Sequence, residues 1–136
     1  MQFSHSVRMQ VPFHDLDPLQ MVWHGNYLKY FDVTRFALFD AAGIDLIAYQ
    51  EEKNYLFPIS RTAVKHVLPL KAFDEFVCTG TVSEARYKIT IKFEIRRVRD
   101  DKLCARGSSD QVAVLLPEME LQFEVPADIR TALGFE

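Results

Sequence analysis

The residues best suited to chemistry lie in one short segment, FHDLDPLQMVWHGNY, at positions 13–27. Two carboxylates, Asp15 and Asp17, stand two residues apart, and Pro18 follows the second. A carboxylate can serve hydrolysis as a general base that activates water, or as a nucleophile that attacks a carbonyl carbon. An Asp before a proline is also typical of a turn. The two carboxylates alone therefore leave their roles open.

The same segment runs into the predicted start of a helix, at His24, Gly25 and Asn26. The first N–H groups of a helix lack partners within it, and the helix dipole is positive there. A carbonyl oxygen at this end would be polarised as in an oxyanion hole. Gly25 has no Cβ, so a substrate can approach its backbone closely. We expect residues 24–26 to polarise or orient a carbonyl substrate, and Asn26 to be the N-cap.

The rest of the chain predicts the elements that must hold this segment. Residues 26–42 read as a helix that is apolar over most of its circumference, and a curved sheet wrapped around it is an economical cover in a small domain. Its few polar residues form one narrow stripe: Lys29, Asp32, Arg35 and Asp40. We predict strands at 3–11, 55–69, 75–85, 87–99 and 103–116, a short helix at 44–53 and a terminal helix at 127–133.

The last four strands follow one another through short connections, which indicates antiparallel pairing. Gly107 and the two serines after it predict a bulge in the fifth strand. The sequence therefore predicts an α+β fold as one domain over residues 1–136, with one long central helix and a sheet of about five strands.

Composition excludes several function classes. A net charge of −3 does not favour a nucleic-acid partner, and no continuous apolar run resembles a signal peptide or a membrane span. Cys78 and Cys104 lack metal or redox spacing, which favours buried thiols in a reducing compartment, and we expect a cytoplasmic protein. We expect no metal and no cofactor, because the remaining histidines lack companions at ligand spacing and read as structural or surface residues: His5, His14 and His66.

Segment 13–27 resembles the active-site segment of hotdog-fold thioesterases, of the 4-hydroxybenzoyl-CoA thioesterase type and its short-chain acyl-CoA relatives. In that family an Asp lies in a D-x-D-P-like loop, and an aromatic residue or His followed by x-N-Y begins the central helix. The matching residues are Asp17, Pro18, Val22, Trp23, Asn26 and Tyr27, and His24 matches relatives with a His seven residues after the Asp. The likeness extends to residues 66–78 and to the VPAD run before the last helix, whereas Leu19–Gln20 stands where many members carry small residues such as Ala-Gly.

The resemblance implies a hotdog fold and hydrolysis of an acyl-CoA or acyl carrier protein thioester, with Asp17 as general base or nucleophile and coenzyme A as part of the substrate or product. Asp15 remains structural in this interpretation. The family's site lies between two subunits, which implies a homodimer or a homotetramer built as a dimer of dimers. Arg86 and Lys88 match roughly where relatives place cations for the phosphates of coenzyme A.

Two other functions fit the same fold. A non-catalytic module would bind acyl groups or acyl carrier protein without releasing thiol. A hotdog dehydratase or hydratase usually pairs a His with a distant acid on a different motif, and the chain shows no such pair.

Overall fold

A five-stranded antiparallel sheet forms the framework of the computed structural model, which describes residues 3–136. Residues 1 and 2 of the predicted domain lie outside the described residues. The strands are β1 (Ser4–Gln10), β2 (Tyr55–Leu56), β3 (Ile59–His66), β4 (Glu75–Glu84), β5 (Ile89–Arg97), β6 (Leu103–Gln111), β7 (Val114–Leu115) and β8 (Glu120–Leu121). The helices in this range are α1 (Asn26–Ala41), α2 (Leu46–Lys53) and α3 (Ala127–Ala132), with a 3-10 turn at Phe13–Asp15.

The main sheet has the strand order β1-β4-β5-β6-β3, and every neighbouring pair in it is antiparallel. Side chains along β5 alternate between buried and more exposed positions, so one face of the sheet packs into the core. The alternation that predicted these strands is therefore confirmed. The edges of the main sheet are β1 and β3, and β3 is exposed along almost its whole length.

Helix α1 packs against β1 and β4, and it ends before Gly43, whose positive φ of 77° suits glycine. Its buried side includes Tyr27, Tyr30, Phe31, Leu38 and Phe39. Its other side exposes Leu28, Val33 and Phe36, which a single chain leaves in contact with water. No helix within the described range is long and apolar enough to span a membrane.

One residue of the polar stripe of α1 is buried. Arg35 is only 4% exposed, donates to Ser109 Oγ at 2.8 Å and pairs with Asp32. Its guanidinium also lies over the Phe93 ring, 5.5 Å from the ring centroid. Burial lowers the pKa of Arg35, although the neighbouring Asp32 opposes this shift. One cation of the stripe therefore lies between the helix and the sheet.

Two predicted strands are each divided in the structure. The predicted strand 55–69 breaks before β3, because Pro58 has no N–H to donate to a sheet ladder. The predicted strand 103–116 ends as β6 and resumes as β7. The short second pieces, β2 and β7, pair with each other and with β8 in a separate small sheet.

Gly107 does not mark a bulge, because its pairing is continuous with Phe93 on one side and Val64 on the other. The register shifts of the main sheet lie elsewhere, between Ile59 and Arg61 among other places. A Cβ at position 107 would collide with the Phe31 ring and would lie 2.8 Å from the carbonyl oxygen of Ala63. The glycine thus leaves room for Phe31, which stacks on Phe93 with ring centroids 4.5 Å apart.

We expect Gly107→Ala to lower the free energy of unfolding by about 1–3 kcal/mol, because the new methyl group overpacks the core. Gly80→Ala on β4 is the matched control, since its Cβ would lie no closer than 3.3 Å to a side-chain atom, the Ile91 Cγ2, and near no backbone atom. Urea denaturation of the two variants measures the difference. Equal stability of both variants would show that Phe31 is free to move away.

Candidate active site

The loop between the 3-10 turn and α1 folds as a small hairpin. Leu16 and Val22 form an antiparallel bridge, and Asp17 N–H donates to the carbonyl oxygen of Met21 at 2.8 Å. The Gln20 N–H closes the tip by donating to the carbonyl oxygen of Asp17 at 2.9 Å. Pro18 suits this turn because its φ is preset. The backbone hydrogen bonds of Asp17 to Met21 and Gln20 therefore close the hairpin and hold Asp17 at a defined position.

Gln20 adopts a left-handed backbone with φ of 62°. A three-residue hairpin loop often ends with a residue in this conformation, which favours glycine. The family's Ala-Gly dipeptide at this place fits the same geometry, and Leu19–Gln20 keeps it without the glycine. The departure from the family pattern therefore changes side chains at the tip and retains the turn.

The Asp17 carboxylate accepts a hydrogen bond from the Leu19 N–H through Oδ1 at 2.8 Å. Its side chain is half-buried, and within residues 3–136 no donor is paired with Oδ2. One oxygen of Asp17 is thus committed to the turn, and the other is free to meet water or a substrate. The turn interpretation and the chemical one are compatible, because each uses a different oxygen.

Asp15 is the residue that fastens this loop to the helix. It is 3% exposed, and its carboxylate accepts from Lys29 Nζ at 2.7 Å and from the Tyr30 hydroxyl at 2.6 Å. Its carbonyl oxygen accepts from Trp23 N–H at 2.9 Å and from Asn26 Nδ2 at 2.9 Å. The structural role predicted for Asp15 fits this geometry, although the partners are side chains of α1 rather than a simple turn.

The ionisation of this cluster follows from its contacts. Burial by itself would raise the pKa of Asp15, but the hydrogen bonds from Lys29 and Tyr30 outweigh it and lower that pKa. Burial, followed by the hydrogen bond to Asp15, raises the pKa of Tyr30. At neutral pH the pair is therefore a carboxylate and a neutral phenol that donates to it.

The start of α1 differs in detail from the expectation. Gly25, with φ of −65° and ψ of −24°, occupies the N-cap position, and Asn26 is the first helical residue. Asn26 is therefore not the predicted N-cap, because its side chain donates to the Asp15 carbonyl instead of capping the helix. The Asn26 N–H already donates to the carbonyl oxygen of Trp23 at 2.9 Å. In the described part of the chain, the N–H groups of His24 and Gly25 have no backbone acceptor.

Gly25 also makes room for a neighbouring ring, which the sequence did not suggest. A Cβ at this position would collide with the Trp23 ring, which packs over the glycine. That ring lies 5.0 Å from the His24 ring, centroid to centroid. The glycine accommodates Trp23, and the tryptophan ring fills the side on which a Cβ would point.

A cleft of about 290 Å³ lies beside Asp17 and the helix start. One wall comes from the loop and α1, and the other from the end of β3 and the chain after it. The lining residues are Asp17, Met21, Val22, His24, Tyr27, His66, Val67, Leu68 and Pro69. The structure thus brings Asp17 and His24 together, with mostly apolar neighbours and one carboxylate.

Arg86 and Lys88 do not line this cleft. They lie at the β4–β5 turn, whereas His66 pairs with Ala105 at the opposite end of the sheet. Arg86 pairs with Glu124 at 3.1 Å and Lys88 with Asp110 at 3.3 Å. The eight residues from Ile89 to Arg96 span roughly 20 Å or more at the rise of a strand. Within one chain, these cations are therefore remote from Asp17.

His66 was expected to be a structural or surface residue. The structure places it in the wall of the cleft that Asp17 and His24 also line. The sequence held one signal for this position. His66 begins the 66–78 passage that resembles the family, three residues before Pro69. Nothing local to that strand shows which of its ends meets the Asp17 loop, so only the tertiary structure brings the residues together.

A family model described as the thioesterase-like superfamily matches residues 11–133. The chain belongs to this superfamily. The match covers the Asp17 loop, α1 and every strand of the main sheet except β1, and it confirms the resemblance to thioesterases of the hotdog fold. A search of curated protein sequences gives no significant match.

Solved structures of this superfamily share the architecture at low sequence identity. The chain is similar to 4-hydroxybenzoyl-CoA thioesterase from a Pseudomonas species, with 22% identity, a TM-score of 0.85, and 95% of this chain and 98% of that one covered. It is also similar to a 1,4-dihydroxy-2-naphthoyl-CoA thioesterase from Synechocystis, with 18% identity, a TM-score of 0.85, and coverage of 96% and 95%. A structure of the dynemicin thioesterase gives 20% identity, a TM-score of 0.83, and coverage of 98% and 96%. These likenesses support the fold.

We expect Asp15→Asn to lower the free energy of unfolding by about 1–3 kcal/mol at pH 7, because the charge-assisted bonds to Lys29 and Tyr30 are weakened. The folded-state pKa of Asp15 lies below the ordinary value of 3.8, so its stabilisation is complete above that pH and is lost as pH falls through the folded-state pKa. Denaturant titrations of both proteins at pH 7 and at pH 3 measure this difference.

Asp40→Asn is the control for this experiment, because Asp40 is an exposed carboxylate on the same helix. We expect it to change stability by less than about 0.5 kcal/mol. A destabilisation by Asp15→Asn that persists undiminished down to very low pH would contradict the assignment of Asp15 as an ionised anchor.

Proposed function

We propose that this protein hydrolyses the thioester bond of an acyl-CoA or acyl-carrier-protein substrate, with Asp17 as the catalytic carboxylate. The observation that carries the proposal is the cleft that Asp17, with one carboxylate oxygen unpaired among the described residues, lines together with His24 at the start of α1. Membership of the thioesterase-like superfamily supports the same reaction.

Thioester hydrolysis requires two contributions from the residues of this chain. The carbonyl oxygen must be polarised, and the N–H groups of His24 and Gly25, without backbone acceptors in residues 3–136, are suited to that task. The carbonyl carbon must be attacked, either by water that gives its proton to Asp17 or by the Asp17 carboxylate itself. The electron pair of the carbon–sulfur bond leaves on sulfur as a thiolate.

The acyl group lies in a cleft whose lining is largely apolar, which favours an aryl or aliphatic acyl chain over a charged one. The solved neighbours named for 4-hydroxybenzoyl-CoA and 1,4-dihydroxy-2-naphthoyl-CoA support a flat aromatic acyl group as the first candidate. A third neighbour binds a polyene, so longer conjugated chains belong in the same panel.

The enzyme acts as a homodimer, or as a dimer of dimers, through the exposed edge of β3. An unpaired strand edge invites pairing with another copy, and antiparallel pairing would set the His66 end of one β3 beside the Ile59 end of the other. The apolar side of α1 left exposed in one chain would gain cover, so that the helix becomes central and wrapped.

This arrangement also gives Arg86 and Lys88 a role. Both lie at the end of the sheet that carries Ile59, so those of a second copy would approach the cleft of the first. There they would bind the phosphates of coenzyme A as charges. Their present partners, Glu124 and Asp110, hold them within one chain and would share them with the substrate.

We expect Asp17→Asn to lower kcat for acyl-CoA hydrolysis by about 10²–10⁴-fold, because Asn can keep the turn bond from the Leu19 N–H but cannot act as a base or nucleophile. Thiol release with DTNB, over a panel of aryl, short aliphatic and long acyl-CoA and the matching carrier-protein esters, measures the effect.

Asp45→Asn is the matched control, because Asp45 also accepts backbone N–H groups at a helix start but lies outside the cleft. It should keep full activity. Undiminished turnover in Asp17→Asn would remove Asp17 as the catalyst. Tight binding of acyl thioesters by the unaltered protein without thiol release would favour the binding module instead, and hydration of an enoyl thioester would favour a hydratase.

A shared site makes a complementation experiment possible. We expect Arg86→Ala to raise KM for acyl-CoA but not for the acyl-pantetheine ester, which lacks the nucleotide phosphates. Co-expressed Asp17→Asn and Arg86→Ala chains should form mixed dimers with one intact site, and so exceed the average of the two parents at low acyl-CoA concentration. A mixture that matches the average, or a sedimentation mass that stays at 15.8 kDa, would contradict the shared site.

A further inference from the structure

His66 stands where a polar side chain can meet the substrate from the wall opposite Asp17. It is the last residue of β3, its imidazole is exposed to the cleft, and the three residues after it complete that wall: Val67, Leu68 and Pro69. Resting on the proposed thioesterase function, we infer that His66 contacts the substrate and donates a hydrogen bond to the sulfur atom as the thiolate leaves.

The backbone at this point is held firmly. His66 pairs with Ala105, and the N–H groups of Val67 and Leu68 both donate to the carbonyl oxygen of Cys104, at 2.8 and 3.1 Å. Cys104 itself is fully buried. The wall that carries His66 is therefore fixed to the sheet and does not need to reorganise when a ligand binds.

The imidazole ring is oriented as well as anchored. It meets the Tyr27 ring edge to face, with centroids 4.8 Å apart and an interplanar angle of 78°. Tyr27 is 3% exposed and packs in turn against Tyr30, at 6.0 Å between centroids. Through Tyr30 this row of aromatic rings reaches Asp15, so the same cluster that fastens the Asp17 loop also supports His66.

The nitrogen atoms of His66 are available to a ligand. Among the described residues, neither the His66 nor the His24 side chain has a hydrogen-bond partner, and their ring centroids lie 6.5 Å apart. A charged or neutral imidazole carries at least one N–H. The cleft thus has a carboxylate on one wall and an uncommitted N–H donor on the other.

The identity of the atom that His66 contacts follows by elimination. The reacting thioester group has two heteroatoms, the carbonyl oxygen and the sulfur. The free N–H groups of His24 and Gly25 at the start of α1 suit the oxygen. The sulfur is left for the opposite wall, where His66 is the lining residue able to donate a hydrogen bond.

The step balances without a further reagent. With Asp17 as the base, the oxygen of water bonds to the carbonyl carbon and the water proton passes to Asp17. With Asp17 as the nucleophile, its own oxygen forms that bond, and water hydrolyses the resulting anhydride to the free acid and the Asp17 carboxyl group only after the thiolate has left. The carbon–sulfur bond then breaks, and its electron pair goes to sulfur. The N–H of His66 stabilises the negative charge that develops there, as a charge-assisted hydrogen bond does.

A leaving-group comparison tests this role. We expect His66→Phe to lower kcat/KM for an alkyl thioester such as acyl-CoA by roughly 10- to 100-fold, because a hydrogen bond to a developing charge is lost. The same variant should lose less than about threefold on the 4-nitrothiophenyl ester of the same acid, whose thiolate is stable without a donor. His66→Gln, which restores an N–H donor, should recover part of the alkyl thioester activity.

Folding and function can be separated in this design. Phe keeps a ring against Tyr27, and the single tryptophan, Trp23, whose ring packs beside His24, reports by its fluorescence whether the loop before α1 is intact. His66→Phe with unaltered rates on both esters, while Asp17→Asn stays inactive, would overturn this inference alone. Equal losses on both esters would overturn the leaving-group role. No thiol release by the unaltered protein from either ester would overturn the proposed function itself.

Discussion

The buried carboxylate of Asp15 is the interaction on which the candidate site depends. Its side chain accepts from Lys29 and Tyr30 on α1, while its carbonyl accepts from Trp23 and Asn26 at the start of the same helix. A buried charge is tolerated only when it is paired and hydrogen-bonded, so the loop cannot leave the helix without exposing an unsatisfied group. The position of the Asp17 hairpin follows from this constraint.

The two aspartates of the D-x-D-P segment have different roles because they differ in burial. Asp15 has both carboxylate oxygens committed to the helix, and the hydrogen bonds it receives lower its pKa. Asp17, two residues later, lies outside that cluster and lines the cleft, and its one hydrogen-bonded oxygen accepts from a turn N–H. The first carboxylate is suited to anchoring and the second to chemistry, although their residue type is the same.

The row of aromatic rings from Tyr30 through Tyr27 to His66 links the two walls of the cleft. Rings that meet edge to face have few alternative packings at these distances, so both walls share one rigid support. His24 also lines the cleft, and its side chain is exposed. A ligand would therefore meet His66 supported by this row of rings and His24 exposed on the other wall.

The sequence by itself determined the features that depend on the order of neighbouring residues. It located the D-x-D-P loop, α1 from Asn26, and the antiparallel strands, because a turn, an apolar periodicity and strict alternation are written into consecutive residues. Tertiary structure decided the rest. Gly107 is required by the buried Phe31 ring, and Gly25 leaves room for the Trp23 ring. Arg35 is buried beneath the sheet, and His66 lines the same cleft as Asp17 whereas Arg86 does not. These outcomes depend on distances between segments far apart in the chain, which local pattern does not encode.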